Sequence, residues 1–225
     1  MTGNGWNWTV APGAEALAAA LVGREPDWFP PEPAGAEKDN TARALFRMGG
    51  LFCKFYKKRP DQAESEWRAL RFLQAAGVPV ARPIAWSPAP GGGAVLATAD
   101  IPGAATLKEA YGRGLLPVVA QLLRRMHAAG FLHLDLHVGN ILVAAGRAIV
   151  IDVHRGRIGA VGPKDEERAL GQFLYSLSRI APAADTLRFL RLYRGAPDRR
   201  LAERVAMHAD AFRRRHLASR TGSTF

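Results

Sequence analysis

The chain has 225 residues, 48% hydrophobic and 23% charged, enough apolar material for one large domain or two closely packed lobes. Its 31 Lys and Arg against 20 Asp and Glu leave a formal net charge of +11, which reads either as good solubility with solvated helix faces or as the mark of an anionic partner: a nucleotide, a phospholipid surface, a phosphorylated sugar or nucleic acid. No apolar run reaches the ~18 residues of a membrane-spanning helix. No basic-then-apolar leader opens the sequence, and the single Cys53 excludes an internal disulfide, so a reducing, cytoplasmic location is expected.

In chain order, residues 1–40 read as an N-terminal extension that leads into the first lobe, with a short amphipathic helix at 14–22. Residues 26–40 read as loop, broken by Pro30, Pro31, Pro33 and Gly35. Alternating segments at 41–47 and 51–57, joined by Gly49-Gly50, predict a hairpin. Pro60-Asp61 opens a helix to about residue 76, with Asp61 as cap and Gly77 as stop. Residues 78–86 are extended, and the Gly91-Gly92-Gly93 turn leads into a strand at 94–99. A helix is expected at 115–129 from its apolar spacing, stopped by Gly130. A polar loop at 133–140, strands at 141–143 and 148–151, and helices from Gly162 to the end complete the chain.

A β-rich first part with one helix therefore precedes a mostly helical second part, with the break near Asp100 to Gly103. The expectation is an α+β, two-lobed arrangement with a cleft: first lobe 41–100, second lobe 101–225.

The segment from His133 to Val143, HLDLHVGNILV, contains H-x-D-x-x-x-x-N directly before an apolar strand. A second strand ends in Asp152. Phosphoryl transfer needs a carboxylate to orient the attacking hydroxyl and oxygen ligands to hold magnesium on the nucleotide phosphates. Asp135 fits the first role, and Asn140 and Asp152 fit the second. Such chemistry also needs a strand Lys paired with a helix Glu. Lys54 lies inside the apolar strand LFCKFY. On the following helix, Glu66 falls on the core-facing stripe with Ala63, Trp67, Leu70 and Leu73, where a charge requires a partner, whereas Glu64 falls among Arg68 and Arg71 as a surface pair.

These residues resemble the bacterial lipopolysaccharide kinases, which phosphorylate Kdo or heptose sugars of the inner core. The resemblance is carried by TARALFRMGGLFCK, EWRALRFLQAAGVPVARP, TADIPGAATL, HLDLHVGNILV and IDVHRG, spread over roughly residues 41–180. It implies a protein-kinase-like fold with a small β-rich N-lobe and a reduced helical C-lobe, using ATP and Mg2+. It also implies Lys54 and Glu66 as the ion pair, Asp135 as catalytic Asp, and Asn140 and Asp152 as metal ligands. The nucleotide site would include Lys54, Thr98, Asp100, Asn140 and Asp152. His137, Arg155 and Arg157 are candidate contacts to the acceptor, a glycolipid or small molecule, with a solvated loop the equal alternative for the two arginines.

The sequence departs from kinase patterns in three places. No G-x-G-x-x-G precedes Lys54, Asp152-Val153-His154 stands where D-F-G is usual, and no A-P-E segment follows. A kinase for another small-molecule or protein acceptor, and a nucleotide-binding pseudokinase or scaffold, are the competing readings. His133, Asp135 and His137 on an extended segment could instead hold a hydrolase metal, although no further His cluster completes that site. The tail Arg213-Arg214-Arg215-His216 reads as a solvated helix end, with peripheral contact to anionic lipid at the inner face of the cytoplasmic membrane as the functional alternative. The composition shows no interleaving of basic and aromatic residues for nucleic acid.

Overall fold

The structure is a computed structural model that describes residues 2–3, 5–32 and 36–221. Pro33 and Gly35, two of the expected loop breakers, lie outside the described residues. The chain divides into two compact units, Met1–Ala75 with Val80–Pro102, and Ala76–Pro79 with Gly103–Phe225.

The first unit is built on a six-stranded antiparallel sheet. Its strands and helices are β1 (Thr2–Gly3), β2 (Trp6–Asn7), β3 (Thr9–Val10), α1 (Glu15–Ala18), α2 (Glu25–Trp28), β4 (Lys38–Asp39), β5 (Arg43–Met48), β6 (Leu51–Tyr56), α3 (Pro60–Ala75), β7 (Pro83–Pro88) and β8 (Ala94–Ala99). The sheet order is β3-β7-β8-β6-β5-β4. The β5–β6 hairpin closes through Gly49 and Gly50, both at positive φ, the backbone that a two-residue turn demands.

Period-2 alternation sorts β6 into two faces. Lys54 and Tyr56 face the side covered by α3, whose buried residues are Ala63, Glu66, Trp67, Ala69, Leu70 and Leu73. Phe55 faces the other side, where it meets Phe29 edge-on, while Phe46 of β5 lies beside Trp28. Trp6 stacks on Trp8 at 5.3 Å and extends this aromatic layer. The N-terminal region thus contributes buried rings to the core of this unit. The expected helix at 14–22 shortens to the four residues of α1, and the expected loop at 26–40 contains α2 and β4. Sequence periodicity could not show this, because the apolar residues there pack as a cluster of rings and not along a repeat.

The second unit contains β9 (Ala105–Thr106), α4 (Leu116–Ala128), β10 (Phe131–His133), β11 (Ile141–Ala144), β12 (Arg147–Val150), β13 (Gly156–Ile158), α5 (Pro163–Leu177), α6 (Ala183–Arg194) and α7 (Arg199–Thr221). Strands β12, β11 and β9 form one small sheet, and β10 pairs with β13. The short strands β9 and β13 carry too few residues to announce themselves in the sequence. Helix α4 packs on α6, β10 and β12, and α5 packs on α7 and β10. Phe131, Phe173, Phe189 and Leu116 are fully buried in this core. No helix among the described residues is long and apolar enough to cross a membrane.

Candidate active site

In the first unit, Lys54 sits mid-strand between Leu45 of β5 and Leu96 of β8. Its ammonium lies 2.8 Å from Glu66 Oε1, and both residues are buried. The Tyr56 hydroxyl, two residues along the same strand face, donates to the other oxygen, Glu66 Oε2. The carboxylate is thereby held at both ends, as a buried charge must be. Glu64, on the opposite side of α3, pairs with exposed Arg68 at 2.5 Å. Tyr56 was not singled out in the sequence, although its spacing of two from Lys54 placed it on the same face.

The other residues named in this unit are engaged locally. The Thr98 hydroxyl donates to the Phe52 carbonyl at 3.4 Å. Asp100 Oδ1 accepts from the Ile101 backbone N–H and from Arg47 Nε, each at 2.9 Å. Cys53 is fully buried, and burial pushes its thiol up to about 12, which makes it a packing residue and not a nucleophile.

In the second unit, the loop between β10 and β11 is bound together by its own polar groups. The Asp135 backbone N–H donates to His133 Nδ1 at 3.1 Å. His133 Nδ1 therefore carries no proton, and Nε2–H donates to the Ile151 carbonyl at 3.2 Å. Burial lowers the pKa of His133, which keeps the imidazole neutral and this pattern intact. The Asn140 amide nitrogen donates to the Asp135 carbonyl at 2.9 Å, so only Oδ1 of that side chain remains to meet a cation. The Ile151 N–H donates to the Asn140 carbonyl at 3.0 Å. These bonds tie Asp135 and Asn140 to the residue that precedes Asp152. Asp152 itself adopts a left-handed backbone, φ 56° and ψ 41°, an uncommon state for a non-glycine residue that clusters at functional sites. Asp152 and the side-chain Oδ1 of Asn140 offer oxygen atoms only, the ligand type that a hard divalent cation takes.

His137 Nδ1 accepts from the Gly139 N–H at 3.1 Å and caps the short turn Val138–Asn140. With His133 and His137 both used to shape the loop, the alternative of a hydrolase metal on His133, Asp135 and His137 loses two of its three ligands. The Asp135 side chain is 39% exposed. Its Oδ1 accepts from Gln172 Nε2 of α5 at 3.1 Å, and its Oδ2 stands 3.8 Å from Arg155 Nη1. Arg157 pairs with Asp165. In the tail, Arg213 pairs with Asp210 at 3.2 Å and Arg215 lies over the Phe212 ring, so two of the three consecutive arginines are occupied on their own helix.

The two units have a protein-kinase-like fold: an antiparallel sheet with one long helix, α3, in the first, and a mostly helical second unit that carries the loop of Asp135 and Asn140. Comparison with known proteins narrows this class. Residues 36–193 match the lipopolysaccharide kinase (Kdo/WaaP) family, and the chain belongs to it. It is 32% identical over 144 residues to a 3-deoxy-D-manno-octulosonic acid kinase of Vibrio parahaemolyticus, covering 56% of this chain and 58% of that protein. It is 31% identical over 99 residues to the lipopolysaccharide core heptose(I) kinase WaaP of Escherichia coli, covering 40% of this chain and 37% of that protein. The matches thus span little more than half of one curated relative and about a third of the other. Among solved structures it is similar to WaaP in complex with acyl carrier protein, with a TM-score of 0.64 at 21% identity over 93% of this chain and 97% of that one.

Proposed function

We propose that this chain is a kinase that transfers the γ-phosphoryl group of ATP to a hydroxyl of a lipopolysaccharide core sugar, Kdo or heptose. The observation that carries the reading is the loop in which Asn140 and His133 hold the Asp135 backbone beside the left-handed Asp152, in a chain of this family.

In this reading Asp135 orients the acceptor hydroxyl and takes its proton as the new O–P bond forms. The bond from the β–γ bridging oxygen to the γ-phosphorus breaks, and ADP leaves. Asn140 Oδ1 and the Asp152 carboxylate would hold Mg2+, which supplies charge neutralisation at the phosphates. Lys54, oriented by Glu66 and Tyr56, would contact the nucleotide phosphates, and Thr98 and Asp100 would lie at the nucleotide site. His137, Arg155 and Arg157 are the proposed acceptor contacts, with the guanidinium groups meeting a sugar carboxylate or phosphate. A lipid-linked acceptor would bring the enzyme to the cytoplasmic face of the membrane, where its positive charge favours anionic lipid.

The test is magnesium-dependent transfer of labelled γ-phosphate to Kdo-lipid A and to truncated core glycolipids, with Asp135→Asn as control. Labelled glycolipid from the wild type alone is the expected result. ATP binding without transfer to any of these acceptors overturns the reading. Failure of the protein to sediment with anionic vesicles removes its membrane part.

A further inference from the structure

We infer that Gln172 is a positioning residue for the reaction, holding the Asp135 carboxylate in the orientation in which it meets the acceptor hydroxyl. The inference rests on the kinase reading above and adds to it a residue that no motif contains.

Gln172 lies on α5, 37 residues after Asp135, and its Nε2 donates to Asp135 Oδ1 at 3.1 Å. An ionised carboxylate only accepts, so the nitrogen end of the amide must face it. The bond ties down one oxygen and leaves Oδ2 on the side where Arg155 stands off at 3.8 Å, beyond hydrogen-bond distance.

Helix α5 is suited to this task. One turn after Gln172, Ser176 Oγ accepts from the Val138 N–H at 3.0 Å, so positions i and i+4 of one helix face grip the catalytic-type loop at two points. Phe173, next to Gln172, is fully buried. On its other side Gly171 lets α7 approach so closely that an added Cβ would meet His208 Cβ at 2.4 Å. Gln172 is thus mounted on a helix locked in the core, where a contact is held more tightly than on a loop.

The residue type matters as well. A Lys or Arg at hydrogen-bond distance would stabilise the Asp135 charge and oppose proton uptake. An amide fixes the carboxylate without adding charge.

The test compares wild type with Gln172→Met, which keeps length and loses the donor, and with Gln172→Ala. Expected is a fall in kcat of about tenfold in both, smaller than for loss of Asp135, with KM for ATP and melting temperature unchanged. A kcat within twofold of wild type overturns the inference. So does a fall in kcat that tracks equal losses of ATP affinity and thermal stability, since that would mark a structural role. If the wild type transfers nothing to glycolipid, the acceptor reading has failed. Gln172 is then judged on magnesium-dependent ATP hydrolysis and on crystals of Gln172→Met, where an unchanged Asp135 orientation overturns the inference and a displaced one supports it.

Discussion

The Lys54 ammonium lies 2.8 Å from Glu66 Oε1, with both side chains almost wholly removed from solvent. Removing one partner of such a pair strands the other charge. Lys54→Met is expected to destabilise the protein by about 3–5 kcal/mol, whereas Glu66→Gln, which still accepts from Tyr56, should cost less. Both should abolish measurable phosphoryl transfer. Chemical denaturation checks the first statement and a γ-phosphate assay the second.

Tyr56→Phe isolates the second anchor of Glu66. The lost hydrogen bond to a charged group should cost about 1.5–3 kcal/mol. Transfer should fall severalfold and not vanish, because Lys54 still holds the carboxylate. Urea unfolding beside steady-state kinetics separates the two effects.

Asp135→Asn keeps size and shape at a side chain that is 39% exposed, so the fold should be unaffected. A kcat lower by about 10²–10⁴-fold is expected. Asn140→Ala should be comparably damaging, since it removes both a proposed metal ligand and the bond to the Asp135 carbonyl. Circular dichroism must show native folding in both variants for the kinetic loss to be assigned to the site.

His127 is buried in α4 and shares a hydrogen bond of 2.8 Å between its Nδ1 and the Tyr193 hydroxyl. Burial lowers its pKa from 6.5 to about 4. The unfolded chain therefore binds a proton between these values that the folded chain refuses, so stability is full above pH 6.5 and is lost as pH falls toward 4. The loss attributable to this group is on the order of 3 kcal/mol. Unfolding free energies measured across that range should show the slope in wild type and a shallower one in His127→Phe.

Gly156 is set by space and not by φ. A Cβ added there would sit 1.9 Å from Phe131 Cζ, and Phe131 is fully buried. Gly156→Ala is expected to destabilise by about 1–3 kcal/mol or more, as overpacking does. It should also disturb the β10–β13 pairing, whose His133–Gly156 rung lies two residues before Asp135, which calorimetry and the transfer assay would register together.

The regular elements around the site were legible in the sequence. The Gly49-Gly50 hairpin and the helix that follows it stand close to their expected positions, as does the helix that ends at Gly130. Their signals are local: alternation, 3.6-residue spacing, caps and stops. Even the burial of Glu66 was legible, because helix phase alone puts it on the apolar stripe.

By itself, then, the sequence determined which residues carry charge on apolar faces and which short loop holds Asp135 and Asn140. The folded chain alone decided the rest. It brought Tyr56 to Glu66 and Gln172 to Asp135, fixed the His133 tautomer between Asp135 and Ile151, and turned the N-terminal tryptophans into one face of the core. The reason is distance along the chain. Periodicity encodes contacts within a turn or between paired strands. A hydrogen bond across 37 residues, or a cluster of rings, depends on how whole elements pack, and no local pattern records it.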